Sequence, residues 1–329
     1  MGILLKICLV IVISFIFFNT VVHRILVRIE RKKQEDFLKI NFDENELKLY
    51  NKILDLHDTI MKKKVYIIPE ISVKVSRNNF NTKRYVVPLF FSLIDSNSRF
   101  DYYCDKLFKF MKLDDTIGDL HIKASILEII EKYLGKDTFR KKGDLIFGVD
   151  HKSKRHKFYL DTAENQLESI EWSNDNKNFY NKKIYRNANN INKIAETINK
   201  LDLPTQFNQV FPISNWERCL YRNNISKESN NTIKENIDSY HIYLKNPITI
   251  NEYQDELKKM IYNLSGTAGN DMSTVDEWIS LNKDNQIYWI AVNFHEEDNL
   301  EVNLYVRRNS KIDKSLRIIQ KVLFWYLMI

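Results

Sequence analysis

Residues 287–306 read IYWIAVNFHEEDNLEVNLYV, and this stretch contains two predicted β-strands joined by a short polar turn. The first strand, residues 287–294, is apolar on both faces, so we expect it to lie in the centre of a sheet. The second strand, residues 300–306, alternates apolar and polar side chains, as a strand with one buried face does. Two strands with so short a connection pair antiparallel. The stretch therefore predicts an antiparallel sheet at the centre of the fold.

The rest of the chain adds strands and helices to this sheet. Strands are predicted within residues 65–87, 145–172 and 240–244, and helices within residues 43–62, 120–134 and 249–264. A chain of 329 residues, 44% of them hydrophobic, is large enough to bury a core. We therefore predict an α+β fold, with an N-terminal transmembrane helix followed by a single domain, residues 43–329, of antiparallel sheet and packed helices. A barrel of ββαα repeats is one form that this domain can take.

Residues 1–23 are predicted to be a transmembrane anchor. Residues 3–22 read ILLKICLVIVISFIFFNTVV, and the strongly polar Lys6 and Asn19 lie near the two ends. About 20 mostly apolar residues in a helix are enough to cross the hydrocarbon core of a bilayer. A cleaved signal peptide is the alternative, but the stretch has no Ala-x-Ala-like cleavage site. Residues 24–42 then form a basic juxtamembrane helix and linker.

A basic cluster follows the anchor and sets the predicted orientation. It consists of Arg24, Arg28, Arg31, Lys32 and Lys33. Because Lys and Arg beside a span prefer the cytoplasmic side, we expect a single-pass membrane protein whose C-terminal domain is cytosolic. Glycosylation sequons at Asn224, Asn230 and Asn263 leave the opposite orientation open. The lipid bilayer is the expected partner, and the basic cluster is a candidate site for anionic headgroups.

Composition and motifs disfavour several functional classes. The chain has 7 glycines and neither GxxxxGK[ST] nor GxGxxG, which disfavours nucleotide sites of the P-loop and Rossmann types. Histidine and cysteine lack metal-ligand spacing, so we expect no metal and no cofactor, and the catalytic residues are unknown. The net charge of +7 is spread along the chain, so nucleic acid is not expected, and no protein partner is identified. Abundant Lys, Asn and Ile resemble the composition of proteins from large DNA viruses, which suggests a viral or host internal membrane.

One short pattern recurs on predicted strands. A tyrosine follows a polar residue at a spacing of two in three places, Lys157 and Tyr159, His241 and Tyr243, and Asn303 and Tyr305, and Lys83 and Tyr85 give an earlier copy. Residues i and i+2 of a strand lie on the same face. Each pair therefore presents a polar group and a phenol side by side.

The same residues resemble the aromatic prenyltransferase barrel family. Gly148 and Asp150, followed by Lys157 and Tyr159, look like the GxD…KxY strand pair of that family, and the resemblance covers about residues 65–310. It implies an antiparallel barrel of ββαα units, with the polar and tyrosine pairs projecting into the lumen. It also implies that Lys157, Tyr159, Tyr243 and Tyr305 bind an isoprenoid diphosphate, because ammonium groups neutralise diphosphate and aromatic faces stabilise a carbocation.

Three functional hypotheses follow, and the sequence does not decide whether the protein is an enzyme. The preferred one is a membrane-anchored protein with a structural, tethering or binding role. The alternative is a membrane-tethered, prenyltransferase-like enzyme that binds an isoprenoid diphosphate at Lys157 and the three tyrosines. The third is a protein that binds lipid surfaces through the basic cluster and residues 152–157. The enzyme hypothesis predicts that Lys157, Tyr159, Tyr243 and Tyr305 line one enclosed lumen.

Overall fold

The structure is a computed structural model of the whole chain. It describes residues 6, 7, 10, 14, 17, 21–61, 66–77, 79–82, 84–89, 97–111, 117–134, 143–150, 155–162, 166–173, 180–227, 233–266, 272–295, 299–310 and 312.

Eleven strands form one antiparallel sheet that closes on itself. They are β1 (Glu70–Ser76), β2 (Asn79–Asn81), β3 (Arg84–Leu89), β4 (Gly143–Asp150), β5 (Arg155–Thr162), β6 (Gln166–Ser173), β7 (Tyr180–Asn187), β8 (Trp216–Lys227), β9 (Ile233–Thr249), β10 (Gln286–His295) and β11 (Asn299–Arg307). Strands β3 to β11 pair with their neighbours in chain order. Strand β1 pairs with both β3 and β11, with Ile71 opposite Val306, and this last pairing closes a barrel of ten strands. Strand β2 pairs with β1 alone among the described strands.

Helices lie between most of the strand pairs. The described α-helices are α1 (His23–Asn41), α2 (Glu44–Met61), α3 (Asn97–Phe110), α4 (Ile117–Leu134), α5 (Ile191–Ile198), α6 (Gln206–Val210), α7 (Gln254–Ser265) and α8 (Met272–Asn282). Two helices precede each of the pairs β4 and β5, β8 and β9, and β10 and β11, and α1 and α2 precede β1. All these helical connections leave the barrel at one end, which we call the helix end. The connections that follow β4, β6, β8 and β10 lie at the other, the turn end, whereas the short connection from β5 to β6 lies at the helix end.

The barrel turns its apolar face outward onto the helices. On β11, Val302, Leu304 and Val306 are fully buried in the same core cluster as Ile122 of α4 and Ile261 of α7. The alternate residues of the same strand are polar and face the lumen. Because side chains alternate between the two faces of a strand, one pattern provides both an apolar outer layer and a polar interior.

Local signals in the sequence explain where helix α2 begins. The Asp43 side chain accepts hydrogen bonds from the backbone N–H groups of Asn45 and Glu46, at 2.9 and 3.0 Å. The Glu46 side chain in turn accepts one from the backbone N–H of Asp43, at 2.8 Å. This reciprocal arrangement is a capping box, and it satisfies backbone donors that the first turn of a helix leaves unpaired.

The prediction of an α+β fold with a transmembrane helix is wrong. A closed antiparallel barrel dominates the fold, because the two ends of the sheet pair with each other instead of ending in free edges. Within the described residues, no helix is both long enough and apolar enough to cross a membrane. This finding contradicts the predicted single-pass span and the membrane localisation derived from it. Most of the predicted anchor, residues 3–22, lies outside the described residues.

The proposed boundaries 1–23, 24–42 and 43–329 stay a prediction, although helix α1 packs directly on the barrel domain. Asn41 exchanges side-chain hydrogen bonds with Asn282 of α8, at 3.0 and 3.2 Å. The buried Glu30 forms an ion pair with Arg308, directly after β11. Residues 24–42 therefore include a helix held by the domain.

Removing a leucine from the outer face of the barrel is expected to destabilise the fold. Leu160 of β5 is fully buried, so we expect Leu160→Ala to lower the free energy of unfolding by about 2 to 5 kcal/mol. The matched control is Leu120→Ala on α4, where the side chain is 51% exposed and the expected loss is about 0.5 kcal/mol. Urea denaturation followed by circular dichroism measures both, and equal losses would contradict this packing.

Candidate functional site

The structure brings the four predicted ligand residues into the barrel lumen. Lys157 and Tyr159 lie on β5, opposite Gly148 and Ile146 of β4, and both line a small cavity together with Tyr305 of β11. Tyr243 of β9 joins them through Trp289 of β10, which lies opposite both Tyr243 and Tyr305. Tyr305 is buried, whereas Tyr159 and Tyr243 are half-buried.

The lumen side chains are arranged in two layers along the barrel axis. Strands β5, β7, β9 and β11 run in the same direction, because neighbouring strands in the barrel alternate. Each of these strands has a polar residue two positions before a tyrosine, so the polar residue lies nearer the turn end. The pairs are Lys157 and Tyr159, Lys183 and Tyr185, His241 and Tyr243, and Asn303 and Tyr305. The aromatic layer consists of Tyr159, Tyr185, Tyr243, Trp289 and Tyr305, and the charged layer of Arg84, Lys157, Glu171, Lys183 and Arg222.

The aromatic layer is a stack of rings. The ring of Trp289 lies between those of Tyr305 and Tyr243, with interplanar angles of 9° and 13°. His241, one step nearer the turn end than Tyr243, stacks on Trp289 with ring centroids 5.5 Å apart. It also meets Tyr185 edge-on, with ring centroids 4.7 Å apart. The lumen therefore offers several π-faces to a bound group.

Three cations share one carboxylate in the charged layer. Glu171 of β6 accepts a hydrogen bond from Lys183 at 2.5 Å and one from Arg155 at 3.1 Å. The Lys157 ammonium lies 3.5 Å from the same carboxylate. The Glu171 side chain is only 6% exposed, while Lys157 and Lys183 are each 20% exposed. Positive charge is therefore in local excess around Glu171.

Two arginines complete the charged layer. Arg84 of β3 is buried, lies 3.2 Å from the Asp150 carboxylate and donates a hydrogen bond to the side-chain oxygen of Asn303. Arg222 of β8 binds both carboxylate oxygens of Asp238, at 2.7 and 2.9 Å. A bidentate pair of this kind fixes the guanidinium in one plane. Both arginines are thus held rigidly beside the lysines.

The crowding of these charges shifts several pKa values. Burial, together with the cations Lys183, Arg84 and Arg222 and against the opposing effect of Glu171, lowers the pKa of Lys157 to about 7. Burial alone would raise the pKa of Glu171, but Lys157, Lys183 and Arg155 hold it well below its ordinary value. At neutral pH the carboxylate is thus ionised, while a part of the Lys157 population has lost its proton.

The tyrosines of the aromatic layer stay protonated. Burial raises the pKa of Tyr305 to about 12, although Arg84 opposes the shift. Burial also raises the pKa of Tyr159, and Tyr185 and Tyr305 add to that effect. Both phenols therefore serve as neutral aromatic faces and hydrogen-bond donors, with no role as phenolates near neutral pH.

The cavity found among these lumen side chains is small. The cavity beside Arg84, Lys157, Tyr159 and Tyr305 has a volume of about 10 Å³, roughly the space of one water molecule. A larger ligand must therefore displace lumen side chains or their carboxylate contacts.

Sequence reasoning missed most of the charged layer and part of the aromatic one. The missed residues are Arg84, Glu171, Lys183, Tyr185, Arg222 and Trp289. Lys183 and Tyr185 form a Lys-x-Tyr pair in the sequence, so the recurring pattern itself could have found them. Tyr85, the proposed earlier copy, packs edge-on against Phe42 on the outer side, so its neighbour Arg84 is the residue that faces the lumen. Lys83 lies outside the described residues.

The basic cluster of Arg24, Arg28, Arg31, Lys32 and Lys33 lies on helix α1, apart from the lumen. Arg31 is half-buried and forms an ion pair with Asp58 of α2, and Lys33 forms one with Glu30 at 2.7 Å. Arg24, Arg28 and Lys32 are exposed. The cluster therefore contributes partly to helix packing. Its binding to anionic headgroups stays a prediction. Residues 152–157 are the other segment predicted to bind lipid surfaces, and of these residues 152–154 lie outside the described residues.

The fold and this lumen define a closed antiparallel barrel with a charged and aromatic interior. Within the described part of the chain, no group of three or more His, Cys, Asp or Glu side chains is arranged to hold a metal ion. No protein-family model matches the chain, and no match was found among curated proteins.

Proposed function

We propose that the barrel lumen binds the diphosphate of an isoprenoid donor and that the protein transfers the isoprenoid group to an acceptor. One observation carries this proposal. Lys157, Lys183 and Arg155 share the carboxylate of Glu171. Arg84 and Arg222, each paired with an aspartate, lie close enough to Lys157 to act on its charge, inside a barrel whose next layer is aromatic. The resemblance to the aromatic prenyltransferase family agrees with this arrangement.

The two layers match the two halves of such a donor. A diphosphate carries several negative charges, which guanidinium and ammonium groups bind through charge-assisted hydrogen bonds. When the bond between carbon and the diphosphate oxygen breaks, the oxygen keeps the electron pair and the allylic carbon becomes a cation. The π-faces of Tyr159, Trp289 and Tyr305 then stabilise the cation and exclude water from it.

The depressed pKa of Lys157 supports an anion site. Burial and the neighbouring cations make the charged ammonium unfavourable, and its pKa falls to about 7. A bound anion offsets these neighbours, so the pKa of Lys157 rises and the complex takes up a proton. Binding is therefore expected to weaken as the pH rises above about 7, because the lysine must then be protonated at a growing cost.

A binding or scaffolding role without turnover is the second candidate. The cavity of about 10 Å³ favours this role, because it leaves no preformed room for a donor and an acceptor together. Such a protein would keep the ion pairs around Glu171 as part of its structure. It would bind neither a diphosphate nor an isoprenoid chain inside the barrel.

Titration calorimetry with geranyl diphosphate tests the proposal. We expect one donor per chain, and we expect Lys157→Met to weaken binding about tenfold or more through loss of a charge-assisted contact. The matched control is Lys109→Met on α3, where the lysine side chain is 70% exposed and the affinity should not change. Release of inorganic diphosphate then separates an enzyme from a binding protein. Failure of geranyl diphosphate to bind the wild-type chain would contradict the proposal.

A further inference from the structure

The lumen contains one histidine whose ring nitrogens contact no hydrogen-bond partner. His241 is 5% exposed, and neither Nδ1 nor Nε2 has a partner among the described residues. A buried imidazole normally finds at least one partner, because an unpaired polar group in a protein interior costs about 1 to 3 kcal/mol. The unsatisfied nitrogens therefore call for a functional explanation.

The carboxylates around the charged layer and at the helix end are already engaged with cations. The ion pairs are Glu70–Arg307, Asp150–Arg84, Glu171–Lys183, Asp238–Arg222 and Glu301–Lys74. A carboxylate that is paired in this way is a weak base, because its cation stabilises the ionised form. Lys157 is protonated once the anion is bound, so His241 is the described titratable lumen group that keeps an unpartnered nitrogen able to accept a proton.

We propose that His241 is the proton acceptor of the transfer reaction and that the bound diphosphate makes it a stronger base. The inference rests on the proposed function. After the donor ionises, the allylic cation takes an electron pair from an aromatic acceptor, and a carbon–carbon bond forms. The ring carbon then loses its proton to the free nitrogen of His241, and the electron pair of the broken C–H bond restores the aromatic ring. The diphosphate leaves with the electron pair of the broken carbon–oxygen bond.

The charged layer explains how the diphosphate acts on the histidine. In the free protein, burial and the nearby Arg222, Lys157 and Lys183 hold the pKa of His241 well below its ordinary value. An imidazolium formed there is therefore strongly disfavoured. A diphosphate bound to the same three cations offsets their field, so the pKa of His241 rises and the ring becomes a competent base when the donor is in place. The rings of Tyr185 and Trp289 hold the imidazole in position meanwhile.

Histidine NMR with a donor analogue tests this inference. The probe is isopentyl diphosphate, a saturated compound that cannot form an allylic cation, and the full chain carries ¹⁵N-labelled histidine. Without the probe we expect His241 to stay neutral between about pH 5 and pH 8, the range in which an ordinary histidine titrates. With saturating probe we expect its midpoint to rise by at least about one pH unit.

A variant distinguishes a base from a ligand of the anion. His241→Gln should bind isopentyl diphosphate with an affinity within about threefold of wild type, since the imidazole is not proposed to hold the anion. A tenfold loss of affinity in this variant would overturn the inference, and so would calorimetric saturation without any shift of the His241 midpoint. Absence of binding to the wild-type chain would instead refute the proposed function itself.

Discussion

Replacing Arg84 with methionine is expected to remove most of the diphosphate affinity and to destabilise the barrel. Arg84 is buried and contacts both Asp150 and Asn303, so its loss leaves a carboxylate without its arginine in the lumen. Breaking a buried ion pair from one side costs about 3 to 5 kcal/mol of folding free energy. Loss of a charge-assisted hydrogen bond to the ligand costs about 1.5 to 3 kcal/mol, or roughly 10- to 150-fold in affinity.

A double substitution separates these two effects. In Arg84→Met with Asp150→Asn both charges are removed, so most of the lost stability should return. The affinity for isopentyl diphosphate should stay low, because the cation that binds it is still missing. Urea denaturation and titration calorimetry measure the two quantities. Wild-type affinity in the double variant would show that Arg84 takes no part in anion binding.

Replacing Glu171 with glutamine is expected to lower stability and to raise diphosphate affinity. Burial would raise the pKa of this carboxyl, but Lys157, Lys183 and Arg155 lower it, so it is ionised and stabilising at neutral pH. Removing its charge leaves those cations without their shared partner, and we expect a loss of about 3 to 5 kcal/mol in the free energy of unfolding. The bound anion then no longer competes with the carboxylate, so its affinity should rise roughly tenfold or more.

The opposite signs of these effects make Glu171→Gln informative. Added isopentyl diphosphate should raise the melting temperature of the variant more than that of the wild type, because the ligand takes the place of the carboxylate. Glu128→Gln is the matched control, since that side chain is 64% exposed and pairs with Lys182 on the surface. If Glu171→Gln bound the probe more weakly than wild type, the idea that carboxylate and anion compete for the same cations would be wrong.

Alternation along single strands predicted which residues share a face, but not which face is enclosed. On β11 the sequence places Asn303 and Tyr305 together, opposite Val302 and Leu304, and the structure has this arrangement. An alternating strand looks the same whether its polar face meets solvent or a lumen. The difference depends on the pairing of Ile71 with Val306 at opposite ends of the chain, and local periodicity contains no information on such a pairing.

The reasons why the sequence patterns do not reveal the other lumen residues are equally local. The sequence patterns predict neither β7 nor β8, so Lys183, Tyr185 and Arg222 have no place in the recurring pattern. A shift of one residue exchanges the two faces of a strand, so the predicted copy at Tyr85 lies on the outer face and Arg84 faces the lumen. The N-terminal span is predicted from the hydropathy and length of residues 3–22, and its orientation from the basic residues that follow.

Calorimetry with isopentyl diphosphate in two buffers of different ionisation enthalpy tests the central claim, that the lumen is an anion site. A pH of about 8.5 is above the pKa of about 7 for Lys157 and below the ordinary lysine pKa of 10.5. Lys157 is therefore mostly neutral in the protein without ligand. We predict one ligand per chain and the uptake of roughly one proton, which the Lys157→Met variant should not show. Equal proton uptake by the wild type and by Lys157→Met, or no binding to the wild type at all, would contradict the account.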